Sequence, residues 1–212
     1  MDEPRERLRI GAPVDFGARF VAPVIADLLR EAPGLDVELV LGSGFDNLTE
    51  LGLDAVVRIG RLSDASLIAK KVGAVPRVVV ASSDYAAEFG LPPSPEDLAA
   101  HPFVFYQTGQ RRMALPLHKG DRQAEIEVSG RTSANSVSAI RELVLGGAGL
   151  HHGPLWAFDE DIKAGRMTVM LPEWQCMAFP LYVLWVSTAS SRQRCAPLPG
   201  GLLTGWRVRA RL

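Results

Sequence analysis

The feature that most constrains this chain is the alternation of strand-like and helix-like segments in its first sixty residues. LRIGAP at 8–13 alternates and then meets Gly and Pro, which reads as a strand ending in a turn. From Phe16 to Leu29 the apolar residues Phe16, Phe20, Val21, Val24, Ile25, Leu28 and Leu29 recur at helical spacing. Pro23 lies inside that run and implies either a kink or a helix that starts late. LDVELVL at 35–41 reads as a strand, FDNLTELG at 45–52 as a short helix with Asp46 as N-cap and Gly52 as stop, and LDAVVRIG at 53–60 as an apolar, buried parallel strand. The succession β-α-β-α-β predicts a doubly wound parallel sheet.

A second α/β unit follows. Two β-rich runs surround GAVP within 67–85, Ser94 is placed to cap a short helix before the strand ending at Tyr106, and 125–135 alternates as a strand. SVSAIRELVLGGAG at 136–149 is helical and ends in glycines, LHH at 150–152 is a short strand, and 155–167 is a helix stopped at Gly165. The last apolar strand, 179–186, has no helix of its own and is expected to return to the first unit. The predicted fold class is therefore α/β, with two Rossmann-like lobes joined by two crossing strands near 73–80 and 172–180. The expected division is 1–7 as a linker stub, 8–76 with 173–212 as lobe I, and 77–172 as lobe II. Such a shape makes a cleft where strand ends and helix N-termini face each other.

Composition narrows the function classes. The formal net charge of −1 gives no footprint for a nucleic-acid backbone, so any DNA contact is expected outside this chain. Cys176 and Cys195 form no CxxC and read as reduced cytoplasmic thiols. No apolar run reaches the roughly 18 residues of a membrane span, and the charged start MDEPRERLRI lacks a signal-peptide core. The expected location is the cytoplasm.

In combination, LRIGAPVDFGARFVAPVIADLLREAPGLDVELVL, LTELGLDAVVRIGRLSDASLIAKKVGAVPRVVVASSDYAAEFGLPPSPEDLAAHPFVFY and ANSVSAIRELVLGGAGLHHGPLWAFDEDIKAGRMTVMLPEW resemble the effector-binding domain of LysR-type transcriptional regulators over about residues 8–187. The resemblance implies a type 2 periplasmic-binding-protein-like fold and a small organic effector held between the lobes. It also implies a homodimer, or a tetramer in the full-length regulator, and DNA binding through a winged helix-turn-helix outside this chain. No cofactor, metal, membrane partner or enzyme activity is expected. A stand-alone solute-binding protein of the same fold is the alternative. The tail SSRQRCAPLPGGLLTGWRVRARL departs from the family's closing helix and reads as irregular and basic.

Candidate effector contacts follow from both readings. The turn APVDFG at 12–17 leads into a helix N-terminus and offers Pro13, Val14, Asp15 and Phe16. Asp15 would repel an anion there, which favours a neutral, phenolic or amine-bearing ligand. RIGRL at 58–62 offers Gly60 and Arg61, with Arg58 or Arg61 placed to neutralise an acid and Arg61 equally readable as a solvated loop residue. TSANS at 132–136 offers Asn135 as N-cap and Ser136 as a hydroxyl donor, and Tyr106 an aromatic wall. In GGAGLHHGP at 146–154, His151 holds the position where the family places a small residue near the effector. Adjacent strand residues face opposite ways, so His151 and His152 are not expected to chelate one metal. The dimer helix is expected to use Arg19, Phe20, Pro23, Ala26, Leu29 and Arg30. His101 is placed in a turn, His118 in a polar loop, and the acids 159–161 on a solvated helix face.

Overall fold

The computed structural model describes residues 7–42, 48, 50–60, 62, 68–107 and 109–185. The elements begin β1 (Arg7–Ala12), α1 (Val14–Phe16), a π-helical segment (Gly17–Val21), α2 (Ala22–Glu31), β2 (Asp36–Leu41), β3 (Ala55–Ile59) and β4 (Ile68–Val75). Then come β5 (Arg77–Ser82), α3 (Ser83–Phe89), a 3₁₀ helix (Pro95–Ala100), β6 (Val104–Phe105), β7 (Arg112–Lys119), β8 (Arg122–Ser129) and β9 (Thr132–Ser133). The series closes with α4 (Val137–Leu145), β10 (His151–Pro154), α5 (Leu155–Lys163), β11 (Met167–Val169), β12 (Gln175–Cys176) and β13 (Phe179–Trp185). The chain divides into two compact units, with boundaries at Ala74/Val75 and Ala178/Phe179.

The first unit holds a five-stranded sheet in the order β2-β1-β3-β13-β4. β1 runs parallel to β2 and β3, as the βαβ pattern requires, while β13 returns antiparallel to β3 with Leu181↔Ile59 through Trp185↔Ala55 in register. The final strand therefore joins the first unit, inside its sheet. Of the two readings of Pro23, the late start fits: α2 begins only at Ala22. Pro23 occupies the first turn of α2, directly after the π-helical segment, where a missing N–H costs least. Leu8, Ile10, Val24, Ile25 and Leu28 are buried along the strand and the apolar stripe of α2. Most of the short helix expected at 45–52, with its cap Asp46, lies outside the described residues.

In the second unit, β10 and β11 flank β5 antiparallel, and β6 pairs β9 in parallel. A parallel bridge between Phe103 and Leu150 links these sheets. The hairpin β7-β8, with β12 beside β7, covers a core that includes Val79, Leu98, Phe103, Phe105, Leu115, Val128 and Leu150.

Several expectations need correction here. α3 occupies a stretch read only as β-rich and is capped by Ser82, whose hydroxyl accepts from the Tyr85 N–H. The single strand expected at 125–135 is two: β8, which stops at Ser129 and forms a hairpin with β7, a strand absent from the sequence reading, and β9, which pairs with β6. His118 therefore sits on a strand, with Nε2 3.1 Å from Gln175 Oε1. Residues 175 and 176, expected with lobe I, pair with His118 and Leu117 in the second unit. The N-cap of α4 is Ser136, not Asn135. Among the described residues, no helix is long and apolar enough to cross a membrane.

Candidate functional site

In the first unit, two candidate segments lie past the same ends of neighbouring parallel strands. Pro13 caps α1 with an extended backbone (φ −57°, ψ 141°). Val14 is exposed, and Asp15 sits half-buried in the first helical turn. Phe16 is different: only 2 % exposed, its ring lies 4.8 Å from that of Phe20 and belongs to the core. Gly60 follows β3 at φ 105°, a left-handed conformation that favours glycine, and its N–H donates to Pro180 O at 2.9 Å. That backbone donor is already engaged. Arg61 lies outside the described residues.

In the second unit, the parallel pair β6-β9 gathers another set. Ala134 N donates to Phe105 O at 2.9 Å, bringing the residues after each strand together. Tyr106 emerges there exposed, Asn135 is exposed, and Ser136 is half-buried at the start of α4. The Ser136 hydroxyl accepts from Ala139 N at 3.3 Å. It thus satisfies a helix-terminal amide as well as lying at the strand ends. Ser133, which the sequence did not single out, accepts from Gly109 N at 3.3 Å and ties the loop after Tyr106 to β9.

The two histidines point to opposite faces of β10, as strand geometry demands, and both are buried. His151 Nδ1 lies 2.7 Å from Val104 O, and the ring meets Phe158 edge-on at 5.7 Å. A carbonyl only accepts, so Nδ1 carries the proton. Burial holds the ring's pKa down at about 4, with the Val104 bond opposing. His152 accepts at Nε2 from Arg77 Nε, 3.1 Å away, and Arg77 Nη2 donates to His152 O at 2.5 Å. Burial, reinforced by the Arg77 charge and by His151, lowers its pKa to about 2. Both rings are therefore neutral near pH 7. His152 turns into the second unit. His151 stands in the packing beneath α5, a more enclosed place than a cleft wall.

Arg77 is a residue the sequence reading passed over. Its side chain is half-buried at the start of β5, and desolvation of the guanidinium lowers its pKa to about 10. Cys176 on β12 is a free thiol pushed up to about 11 by burial, with the Arg77 charge opposing. A thiol so placed is an unreactive one at neutral pH.

The acidic run on α5 also departs from expectation. Asp161 is fully buried, gripped by Arg141 (Nε 2.5 Å, Nη2 2.7 Å) and Arg166 (Nε 2.7 Å). Burial alone pushes its carboxyl up, but the hydrogen bonds and charges of the two arginines outweigh that and leave its pKa below the ordinary value. The clamp fixes α4, through Arg141, against α5. The missed signal was spacing: Phe158 and Asp161 stand three apart, on one helix face.

The expected dimer residues form an outward stripe. Arg19, Ala26, Leu29 and Arg30 are exposed, Phe20 and Pro23 half-buried. Arg30 pairs with Asp27, and the Arg19 guanidinium lies 5.8 Å from the Phe20 ring centre.

Comparison with known proteins gives one answer. The model of the LysR substrate binding domain matches residues 1–195. The chain is 31 % identical over 182 residues to the HTH-type transcriptional activator AaeR of Escherichia coli strain K12, covering 86 % of this chain and 59 % of that protein. It is 34 % identical over 191 residues to the HTH-type transcriptional regulator PtxR of Pseudomonas aeruginosa, covering 87 % and 59 %. It thus spans about three-fifths of the length of these relatives. The regulatory domain of CrgA, a LysR-type regulator from Neisseria meningitidis, shares the fold at a TM-score of 0.79 and 24 % identity, with 96 % of this chain and 100 % of that one covered. The fold is the periplasmic-binding-protein-like one of LysR regulatory domains, and the chain belongs to the LysR substrate-binding domain family.

Proposed function

We propose that this chain is the ligand-sensing regulatory domain of a LysR-type transcriptional regulator, that it is not an enzyme, and that it acts in the cytoplasm. The observation that carries the reading is the family match across residues 1–195, with relatives that are DNA-binding regulators extending beyond the matched part. The effector is a small organic molecule that meets the turn Pro13–Phe16 and the loop at Gly60 and Arg61 in one unit. In the other unit it meets Tyr106, Asn135 and Ser136, with His151 setting the floor beneath. An exposed Val14, an exposed Tyr106 and a few hydroxyl and amide groups suit a compact, partly aromatic ligand. DNA is bound through a helix-turn-helix outside this chain. Homodimers form through the stripe on the π segment and α2, and the effector changes the assembly only by its differential affinity for two states.

A thermal-shift screen of small aromatic and carboxylic metabolites tests this. A ligand at about a hundred times its Kd adds about 2.7 kcal/mol, which moves Tm by about 5–10 °C in a chain of this size. The shift should vanish in Tyr106→Ala and Ser136→Leu. A shift that persists in both would remove these residues from the site.

A further inference from the structure

Two stretches of the second unit, 101–120 and 128–141, contain no Asp or Glu but hold Arg111, Arg112, Lys119, Arg131 and Arg141. Three of these cations meet acids brought from elsewhere in the unit. Arg112 Nη1 lies 3.2 Å from Glu127 Oε1, Lys119 pairs with Glu173, and Arg141 pairs with Asp161 and Glu142. Arg111 and Arg131 are both exposed, and neither enters an ion pair among the described residues. Glu127, the acid nearest Arg131 in sequence, is already engaged by Arg112. This end of the unit carries positive charge without an internal counter-charge.

The backbone holds the two arginines together at the open end of the hairpin β7-β8. Arg112 stands in register with Ser129, and one step further out Gly130 N donates to Arg111 O at 3.0 Å. Arg111 Nη1 donates in turn to Arg131 O at 2.7 Å. That bond spends one of the five N–H groups of the Arg111 guanidinium and none of those of Arg131. Gly109 N donates to Ser133 Oγ at 3.3 Å, which brings the half-buried Ser133 hydroxyl to the same segment. Accepting that bond leaves the hydroxyl hydrogen to donate elsewhere. The side chains of Arg111, Arg131 and Ser133 thus offer donors, two of them charged, with no acid opposite them among the described residues. Like charges held close repel, and an anion seated on both removes that cost. Guanidinium forks match the oxygens of a carboxylate or a phosphate.

We propose that Arg111, Arg131 and Ser133 form an oxyanion site that takes the carboxylate or phosphate group of a small metabolite. The site is built wholly within the second unit. It uses none of the residues assigned to the effector and holds whether or not that assignment does. Both arginines are exposed, so each contributes a factor of about five in affinity, and added salt screens it.

The test is an NMR titration of the nitrogen-15-labelled full chain with sodium phosphate and, separately, with sodium acetate. Sodium chloride holds the ionic strength constant in both. The Nε–Hε signals of Arg111 and Arg131 and the amides of Gly109 and Ser133 should shift together and saturate with one Kd. Arg111→Gln and Arg131→Gln should each weaken that Kd about fivefold, and the double variant should lose saturation. Arg112→Gln, which removes a neighbouring cation already paired with Glu127, should leave the Kd unchanged. Tighter binding of phosphate would assign the site to phosphorylated ligands, and tighter binding of acetate to carboxylates. The substituted arginines are exposed, so circular dichroism should show an unchanged fold. Shifts that grow linearly without saturating would overturn the proposal. So would an equal Kd in wild type and the Arg111/Arg131 double variant.

Discussion

Asp161→Asn is the sharpest probe of the second unit, because two readings of that residue predict different magnitudes. A solvated helix acid costs at most about 0.5 kcal/mol when neutralised. The observed carboxylate is fully buried and receives both nitrogens of an Arg141 fork as well as Arg166. Breaking a fully buried pair costs about 3–5 kcal/mol. Here the arginine side chains are 32 % and 54 % exposed and recover part of their hydration, so the expected loss is about 2–3 kcal/mol. That corresponds to a fall in Tm of about 5–10 °C at pH 7. The sign with pH follows from the depressed carboxyl pKa. Stability contributed by Asp161 is complete above the unfolded-state value near 3.9 and is lost as pH falls through the lower folded value. The gap between wild type and variant should therefore be constant from pH 7 to 5 and close in stronger acid. Urea unfolding at several pH values measures it. A loss under about 0.5 kcal/mol at pH 7 would refute the clamp.

Two further outcomes concern β10. The folded pKa values of His151 and His152 lie near 4 and 2, so between pH 6.5 and 4 the unfolded chain binds more protons and stability must fall as acid is added. Each ring contributes a slope approaching about 1.4 kcal/mol per pH unit. His151→Asn, whose amide can still donate to Val104 O, should remove about half of that slope, and an unchanged slope would mean the rings are not neutral inside the fold. A Cβ at Gly153 would sit 2.4 Å from His151 Cδ2 and 2.6 Å from Phe158 Cε2, so Gly153→Ala should cost about 1–3 kcal/mol in urea unfolding and a neutral result would contradict the close ring packing.

The legible parts of the fold were those where one physical signal acts alone. β1, α2, β2 and β3 follow hydrophobic period, and β13 could be sent to the first unit because it had no partner elsewhere. β7 was hidden because Pro116 lies within it, which weakens a strand reading, although Leu115 and Leu117 alternate with exposed Ala114 and Pro116. The turn at Gly120 and Asp121, flanked by the pair Lys119↔Arg122, was the overlooked hairpin sign. The cap of α4 was misplaced by one residue because Asn135 and Ser136 are both good caps, and only the hydroxyl bond to Ala139 separates them.

The candidate site was legible as position and less so as chemistry. Turn residues after strands and caps before helices can be located by pattern, which is how Pro13 and Val14 were placed after β1, Tyr106 after β6 and Ser136 before α4. Burial cannot be read that way when a polar side chain is satisfied by a partner distant in sequence. His152 meets Arg77 across 75 positions and Asp161 meets Arg141 across 20. Phe16 shows the converse, an apolar residue in a candidate turn that the core claims. The adjacent histidines join the two cases. A strand's two-residue period separates them onto opposite faces whatever their partners, and their neutral state then follows from what each ring faces: a carbonyl for His151, a guanidinium for His152. A ring whose proton is committed to Val104 and whose edge rests on Phe158 can influence a ligand only through the shape of the surface above it. For the effector site proposed above, the size of residue 151, and not its charge, is therefore the property to vary.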